Sequence, residues 1–217
     1  MPARLLLIAA LLVALPAAPA AAATLDPLKP CYVSNGPETD QLEDMTVRGV
    51  DFQPGSVEVL IDGVPVAAPP TDAVGFFSVL VDPPYQPQGE RPFIVTVRDG
   101  VNVLSLESRV TNLNVTMKPK RTAPNRRVRF RGRGFTQPAP VYAHYLYAGK
   151  EQKTVRLARR STAPCGTFDV RRRQIPVEDP RTGRWIVQID QKRAYAAQPD
   201  PVWVRLPINV VEVFLEP

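Results

Sequence analysis

The chain has 217 residues, 44% of them hydrophobic, and a formal net charge of +6 from 27 Lys and Arg against 21 Asp and Glu. That length accommodates one large domain or two small ones, either able to bury a core. His144 is the only histidine, which excludes a His-based metal cluster or metallohydrolase site.

Residues 1–23 carry one positive charge at Arg4, an apolar run from Leu5 to Leu15, then Pro16 and a small-residue tract ending near Ala23. This pattern predicts a secretory signal peptide, and the run of about 11 apolar residues falls short of the roughly 20 that a spanning helix needs. Lys29 and Pro30 stand before Cys31, so a lipoprotein attachment site is not expected, and the end of the chain, VVEVFLEP, has neither an apolar span nor a basic tail. The expected product is secreted or envelope-associated, with no transmembrane segment after signal removal.

Cys31 to Ser34 reads as a short first strand, followed by a break at Asn35-Gly36-Pro37 and an acidic loop from Glu38 to Asp44. Met45 to Val50 is the next strand and Phe52 to Gly55 a corner. In Ser56 to Ile61 the residues Val57, Val59 and Ile61 alternate with their neighbours, the period of a half-buried strand. Asp62-Gly63 is a two-residue hairpin signal with Val64 to Ala67 returning beside it. Further strands are expected over Phe76 to Val81, Phe93 to Val97 and Val101 to Val110, separated by Gly75, by Asp82-Pro83-Pro84, by Gly89 and by Asp99-Gly100. Short strands at about 8 to 12-residue spacing, with no helical period, predict an antiparallel β-sandwich.

A degenerate second copy follows, roughly 80 to 90 residues on, about the length of one small sandwich. It places Val128 to Arg133, the Phe135 corner, Val141 to Tyr147 and Lys153 to Leu157 in the same order. Gly166-Thr167-Phe168 corresponds to Gly75-Phe76-Phe77, and Arg184 to Ile189 to Arg91 to Val97. Two last strands are expected at Pro201 to Leu206 and Ile208 to Phe214, and Thr111 to Val115 reads as a continuous strand with almost no linker. The expected organisation is a signal peptide over 1–23, an acidic immunoglobulin-like β-sandwich over 24–111 and a basic one over 112–217: an all-β chain of two tandem modules.

The residues Val47-x-Gly49-x-x-Phe52-x-Pro54-Gly55, with Val57, Val59, Ile61-Asp62-Gly63 and then Thr71-Asp72-Ala73-x-Gly75-x-Phe77, resemble the bacterial immunoglobulin-like modules of secreted and surface proteins, including those called IPT/TIG or Big domains. The resemblance covers the first module well and the second loosely. The second departs by having Gly149-Lys150 in place of Asp62-Gly63 and extra residues around Arg159 to Pro164. Such modules serve mostly as spacers, adhesive units or carbohydrate-binding accessories and bring no catalytic residues to carry over, so the resemblance implies fold more than function.

Cys31 and Cys165 lie 134 positions apart, one in each module. In an oxidising compartment they are most simply one disulfide, with two free thiols or an intermolecular pair as alternatives. Closing so long a loop is worth on the order of 4 to 5 kcal/mol in the chain-entropy model.

Dividing the charges at Thr111 exposes a bipolar chain. Residues 24–111 hold five basic against 13 acidic residues, a net −8, and residues 112–217 hold 21 basic against 8 acidic, a net +13. Arg127, Arg129, Arg131 and Arg133 alternate with Val128, Phe130 and Gly132, so on a strand all four arginines share one face, spaced by about 6.6 Å. Further basic runs are Lys150, Lys153, Arg156, Arg159 and Arg160; Arg171 to Arg173; and Lys192 with Arg193. The anion-binding candidates are Arg127, Arg129, Arg131, Arg133, Arg171 and Arg173. One reading is a face for an acidic envelope polymer or lipid headgroups, with nucleic acid a lesser partner outside the cell. A second is a merely solvated basic face. A third pairs acidic with basic modules, within or between molecules.

No catalytic constellation is found. His144 reads as a packed or surface imidazole, and no nucleophile elbow accompanies it. Asp62, Asp72, Asp82 and Asp99 read as turn residues bonded to local backbone, with calcium a minor alternative. Tyr142, Tyr145, Tyr147, Trp185, Tyr195 and Trp203 could line a sugar-stacking face, although Trp185 and Trp203 sit at positions where the strand pattern calls for core residues. The chain is therefore expected to be non-enzymatic, with no cofactor or metal.

Overall fold

The computed structural model describes residues 22–35, 41–120, 122–199 and 202–211; the expected leader falls almost wholly outside them, as do parts of the acidic loop and the last residues. Every regular element among the described residues is a strand. No helix among them is long and apolar enough to cross a membrane.

The first ten strands are β1 (Thr24–Leu25), β2 (Tyr32–Val33), β3 (Met45–Val50), β4 (Gly55–Ser56), β5 (Glu58–Ile61), β6 (Val64–Ala67), β7 (Pro70–Thr71), β8 (Phe77–Val81), β9 (Glu90–Arg98) and β10 (Val103–Thr111). They form one sheet ordered β1-β3-β8 and another ordered β2-β10-β9-β5-β6, with β4 and β7 as a separate ribbon. Strand alternation does the sorting. Met45 and Val47 turn inward while Thr46 and Arg48 face water, and Phe93, Val95 and Val97 do the same on β9. Their inner faces close a core with Val59, Phe77 and Val110. Among the described strands β2 alone runs parallel to its neighbour, with Tyr32 opposite Val110, so the segment from β1 to β2 switches from one sheet to the other across the prolines before Cys31. Two facing sheets in this order are an immunoglobulin-like sandwich.

The remaining strands are β11 (Asn114–Lys118), β12 (Arg127–Arg133), β13 (Val141–Tyr147), β14 (Lys150–Ala158), β15 (Phe168–Arg173), β16 (Gly183–Asp190) and β17 (Trp203–Val210). Their sheets, β11-β12-β15 and β14-β13-β16-β17, reproduce β1-β3-β8 and β6-β5-β9-β10 place for place. The corner is reproduced too. Phe52 N–H donates to the Gly75 carbonyl at 3.2 Å and Phe135 N–H to that of Gly166 at 3.1 Å. Phe52 meets Phe77 edge-on at 5.3 Å, and Phe135 meets Phe168 at 5.2 Å. Gly49 and Gly132 lie beneath these rings, where a Cβ would collide with Phe77 or Phe168. Gly-x-x-Phe with a later Gly-x-Phe is thus the local code for the corner in both sandwiches.

Three details differ from the sequence reading. The first hairpin has its two positive-φ residues at Asp62 and Gly63, and the second has them at Ala148 and Gly149, so the turn is kept one position earlier than Gly149-Lys150 suggested. The last strand runs unbroken through Pro207, because β17 is a sheet edge where a missing N–H costs no ladder bond. The passage between sandwiches is not one continuous strand: β10 stops at Thr111, β11 starts at Asn114, and Leu113 between them is buried in the second core.

The junction is held by one segment of the first sandwich. Cys31 is disulfide-bonded to Cys165, with Cα atoms 5.1 Å apart. Next to it Tyr32 belongs to the first core and Val33 to the second. Glu43, 2% exposed, accepts from Val33 N–H at 2.8 Å and from the Thr136 hydroxyl at 2.7 Å. Asn35 accepts from Leu113 N–H at 2.7 Å.

Candidate functional site: the basic sheet of the second sandwich

Strands β11, β12 and β15 pair so that their outward residues form rows across the sheet. Arg129 stands opposite Arg171 on one side and Lys118 on the other, Arg127 opposite Arg173, and Arg131 opposite Asp169 and Thr116. The inward residues of the same strands, Val115, Met117, Val128, Phe130 and Phe168, are in the core, which forces the cations onto the outer face. All six sequence candidates are therefore gathered on one sheet. Arg127, Arg129, Arg131, Arg171 and Arg173 are exposed and Arg133 is half-buried.

Like charges directly opposite each other on adjacent strands repel. Asp169 relieves part of this. Its carboxylate accepts from Arg129 through Nε at 2.6 Å and Nη2 at 2.5 Å, and from Arg131 Nε at 3.1 Å. The hydrogen bonds from Arg129, joined by those from Arg131, hold the Asp169 carboxyl below the usual carboxylate range, and the same carboxylate raises Arg129. Two of the six candidates are thus paired. Among the described residues no carboxylate lies in salt-bridge contact with Arg127, Arg133, Arg171, Arg173 or Lys118.

The face is furrowed. A concavity of about 770 Å³ begins at Glu90 of the first sandwich and runs over Asn114, Thr116, Arg131 and Arg133. One of about 310 Å³ lies between Lys118, Arg129, Arg131 and Arg171. A smaller one of about 170 Å³ sits by Arg171, Arg173 and Arg127, and a fourth of about 620 Å³ lies between Arg173, Lys153 and Pro176. Adjoining concavities share Arg131, Arg171 and Arg173 in turn and succeed one another as a trough along β12 and β15, with Glu90 and Asp169 in the lining at one end and Glu178 and Asp179 at the other. Strand β12 alone gives it about 20 Å of length at a rise of roughly 3.3 Å per residue.

The other basic runs divide. Lys153 on β14 lines the end of the trough, whereas Lys192 follows Asp190 on the outer side of the opposite sheet. The aromatic candidates also divide. Tyr145 and Trp185 are buried in the core, and Trp185 donates to the Arg181 carbonyl at 2.8 Å. Trp203, expected in the core, is only half-buried, because register sets it opposite Asp190 on the outer face of the sheet; the Arg205 guanidinium sits 4.9 Å from its ring centre. Tyr142 and Trp203 flank Asp190 in one row on the outer face of that sheet, and Tyr195 lies on the same side, 5.8 Å from the His144 ring, so three of the six rings share a face and Tyr145 and Trp185 do not. Asp72 and Asp99 do bond local backbone, Asp72 accepting from Val74 and Phe76 N–H and Asp99 from Val101 and Asn102 N–H, whereas Asp62 accepts from Ile94 N–H on the neighbouring strand. Asp99 also reaches Gln53 N–H at 2.8 Å, and this set of donors pushes its carboxyl far down.

His144 is fully buried in a network that the sequence did not reveal. It projects from β13 away from the core. Nε2 faces Asp190 Oδ1 and the Lys192 carbonyl, each at 3.2 Å, while Nδ1 faces Thr154 Oγ1 at 2.7 Å and Glu151 Oε1 at 3.2 Å. Asp190 and the Lys192 carbonyl on one side and Glu151 on the other are acceptors, a setting that favours a proton on both ring nitrogens. Burial alone would lower its pKa, but the hydrogen bond and charge of Asp190, with those of Glu151, raise it. The spacing of His144, Thr154 and Asp190 in sequence carried no signal of this, since register and a loop from Gln191 bring them together.

No family model matches the chain, and no curated protein matches it. Among solved structures it is similar to a tandem pair of titin immunoglobulin domains (9% identity, 86% of this chain and 94% of that one, TM-score 0.29). It is also similar to the fibronectin(III)-like modules of Clostridium thermocellum CbhA (10% identity, 90% and 97%, TM-score 0.28). A third is a Parabacteroides merdae beta-glucuronidase, of which the match covers 24% (10% identity, 87% of this chain, TM-score 0.30). At these scores the assignment of an immunoglobulin-like fold rests on the strand order itself.

Proposed function

We propose that the protein is an extracytoplasmic, non-enzymatic binding module whose second sandwich lays its β11-β12-β15 face along an anionic polymer of the cell envelope or extracellular material. In this reading residues 24–111 and 112–217 are two domains behind a removed leader. The observation that carries it is the trough. Lys118, Arg127, Arg133, Arg171 and Arg173, without salt-bridge contact to a carboxylate among the described residues, line adjoining concavities on one sheet, an arrangement whose self-repulsion an anion laid along it would relieve more fully than solvent. A long, narrow depression suits an extended chain better than a flat lipid surface. The Cys31–Cys165 disulfide supports an oxidising compartment. His144 is fully buried and engaged by Asp190, Thr154 and Glu151, out of reach of a substrate, which supports a binding role over a hydrolytic one.

The test is retention on a dextran sulfate resin across a salt series. Each phosphate-like contact contributes about 0.7 to the slope of log affinity against log salt for a flexible polyanion. The variant R127Q/R171Q/R173Q is expected to lower that slope by roughly two, while K192Q/R193Q leaves it unchanged. Equal slopes for wild type and the triple variant would refute the proposal. Elution as a dimer or larger species at low salt would instead favour association between acidic and basic sandwiches.

A further inference from the structure

We infer that the small cavity beside Arg172 is a subsite for one oxyanion, in which the Tyr145 hydroxyl and the Arg172 guanidinium are the donors. The inference deepens the trough reading and rests on it only for the source of the anion. Tyr145 is 0% exposed, its ring packed in the core of the second sandwich. Its hydroxyl nevertheless has no hydrogen-bond partner, one of three such buried side-chain atoms among the described residues. An unsatisfied buried hydroxyl is costly and needs a reason. The cavity that Tyr145 lines, about 170 Å³, is walled by Arg127, Arg171, Arg172, Arg173, Val155 and Pro176. That is several times the roughly 30 Å³ share of one liquid water.

Arg172 differs from its neighbours. Arg171 and Arg173 sit in the rows of outward side chains, whereas Arg172 lies opposite Val128, a core-facing position, on a strand at the sheet's edge. It bends round that edge, where Nη2 donates to the Leu157 carbonyl at 2.8 Å and Nη1 to the Arg171 carbonyl at 3.0 Å. Two anchored N–H groups leave others of the five free to donate. Its charge is felt at the phenol: burial pushes the Tyr145 hydroxyl up, and Arg172 draws it part of the way back. At neutral pH Tyr145 is therefore a donor. A neutral O–H donor, a fixed guanidinium and a rim of three further arginines, with no carboxylate lining the cavity, select a sulfate or phosphate group over a cation or neutral ligand.

The test compares thermal unfolding of the purified full chain in low-millimolar sodium sulfate and in sodium chloride of matched ionic strength, for wild type, Tyr145→Phe and Arg172→Gln. Sulfate stabilises proteins generally, so the reading is the difference between variants. The wild type is expected to gain more from sulfate than from chloride, and both variants to lose that increment; Tyr145→Phe, freed of an orphan hydroxyl, is expected to melt no lower than wild type without sulfate. An equal increment in wild type and Tyr145→Phe, or none in wild type, as a cavity holding only water would give, overturns the subsite. Dextran sulfate affinity separates the sources. A loss of about tenfold in Tyr145→Phe with an unchanged salt slope places a polymer-borne sulfate there. Unchanged affinity with a lost sulfate increment assigns the site to a free anion. A subsite that survives when R127Q/R171Q/R173Q leaves polymer retention intact would stand while the trough reading falls.

Discussion

The corner shared by the two sandwiches makes a sharp prediction from a pair of Gly→Ala substitutions. Gly149 and Gly166 both have positive φ, 76° and 64°, so alanine at either meets the left-handed penalty of about 1 to 2 kcal/mol, partly offset by its smaller unfolded-state entropy. Only their surroundings differ. At Gly149 an added Cβ meets nothing within 4 Å, whereas at Gly166 it falls closer than 3.0 Å to the carbonyl oxygen, the carbonyl carbon and Cα of Phe135. Relief requires moving that backbone, which is held by Phe135 N–H on Gly166 and by the Ser161 hydroxyl, 2.7 Å from the Phe135 carbonyl. Two hydrogen bonds at about 1 kcal/mol each, and looser packing of Phe135 on Phe168, bring the expected loss for Gly166→Ala to about 4 kcal/mol or more, against about 1 for Gly149→Ala. With both sandwiches melting as one unit through the disulfide, at about 2 to 4 °C per kcal/mol, that is a fall in midpoint of roughly 8 to 16 °C against about 2 to 4 °C, read by scanning calorimetry. Gly75→Ala should repeat the large loss in the first sandwich and Gly63→Ala the small one, since the former would strike Phe52 backbone and the latter nothing. If Gly166→Ala and Gly149→Ala prove equally mild, the corner is not built as described.

Two further outcomes are expected. Cys31→Ser with Cys165→Ser should lower stability by up to about 5 kcal/mol in the chain-entropy model and split a single calorimetric transition into two, because the bridge closes a loop across both cores; an unchanged single transition would count against coupling through this clamp. His144 has a pKa raised above its unfolded 6.5 by Asp190 and Glu151, so the folded state binds the proton more tightly. Its contribution is fully present below about pH 6.5 and is lost as pH rises through the folded value. Urea midpoints should therefore fall from neutral to alkaline pH in wild type and stay flat over that window in His144→Gln; parallel profiles would contradict a His144 proton held by Asp190 and Glu151.

Much of this molecule was legible in residue order. Alternation on β12 is a local property of neighbouring side chains, so it predicted that Arg127, Arg129, Arg131 and Arg133 share a face opposite Val128 and Phe130. The Gly and Phe residues of the corner announced themselves because only they tolerate its backbone and fill its core. Cross-strand registry was not legible. That Arg171 and Arg173 join the row, that Asp169 neutralises part of it, that Arg172 turns back toward Tyr145 and that Asp190 meets His144 all depend on pairings between strands up to 46 positions apart. Such partners are chosen by the closure of whole sheets. The chain could therefore state its period and its charge, while the folded sheets decided which charges meet and which stay open to solvent.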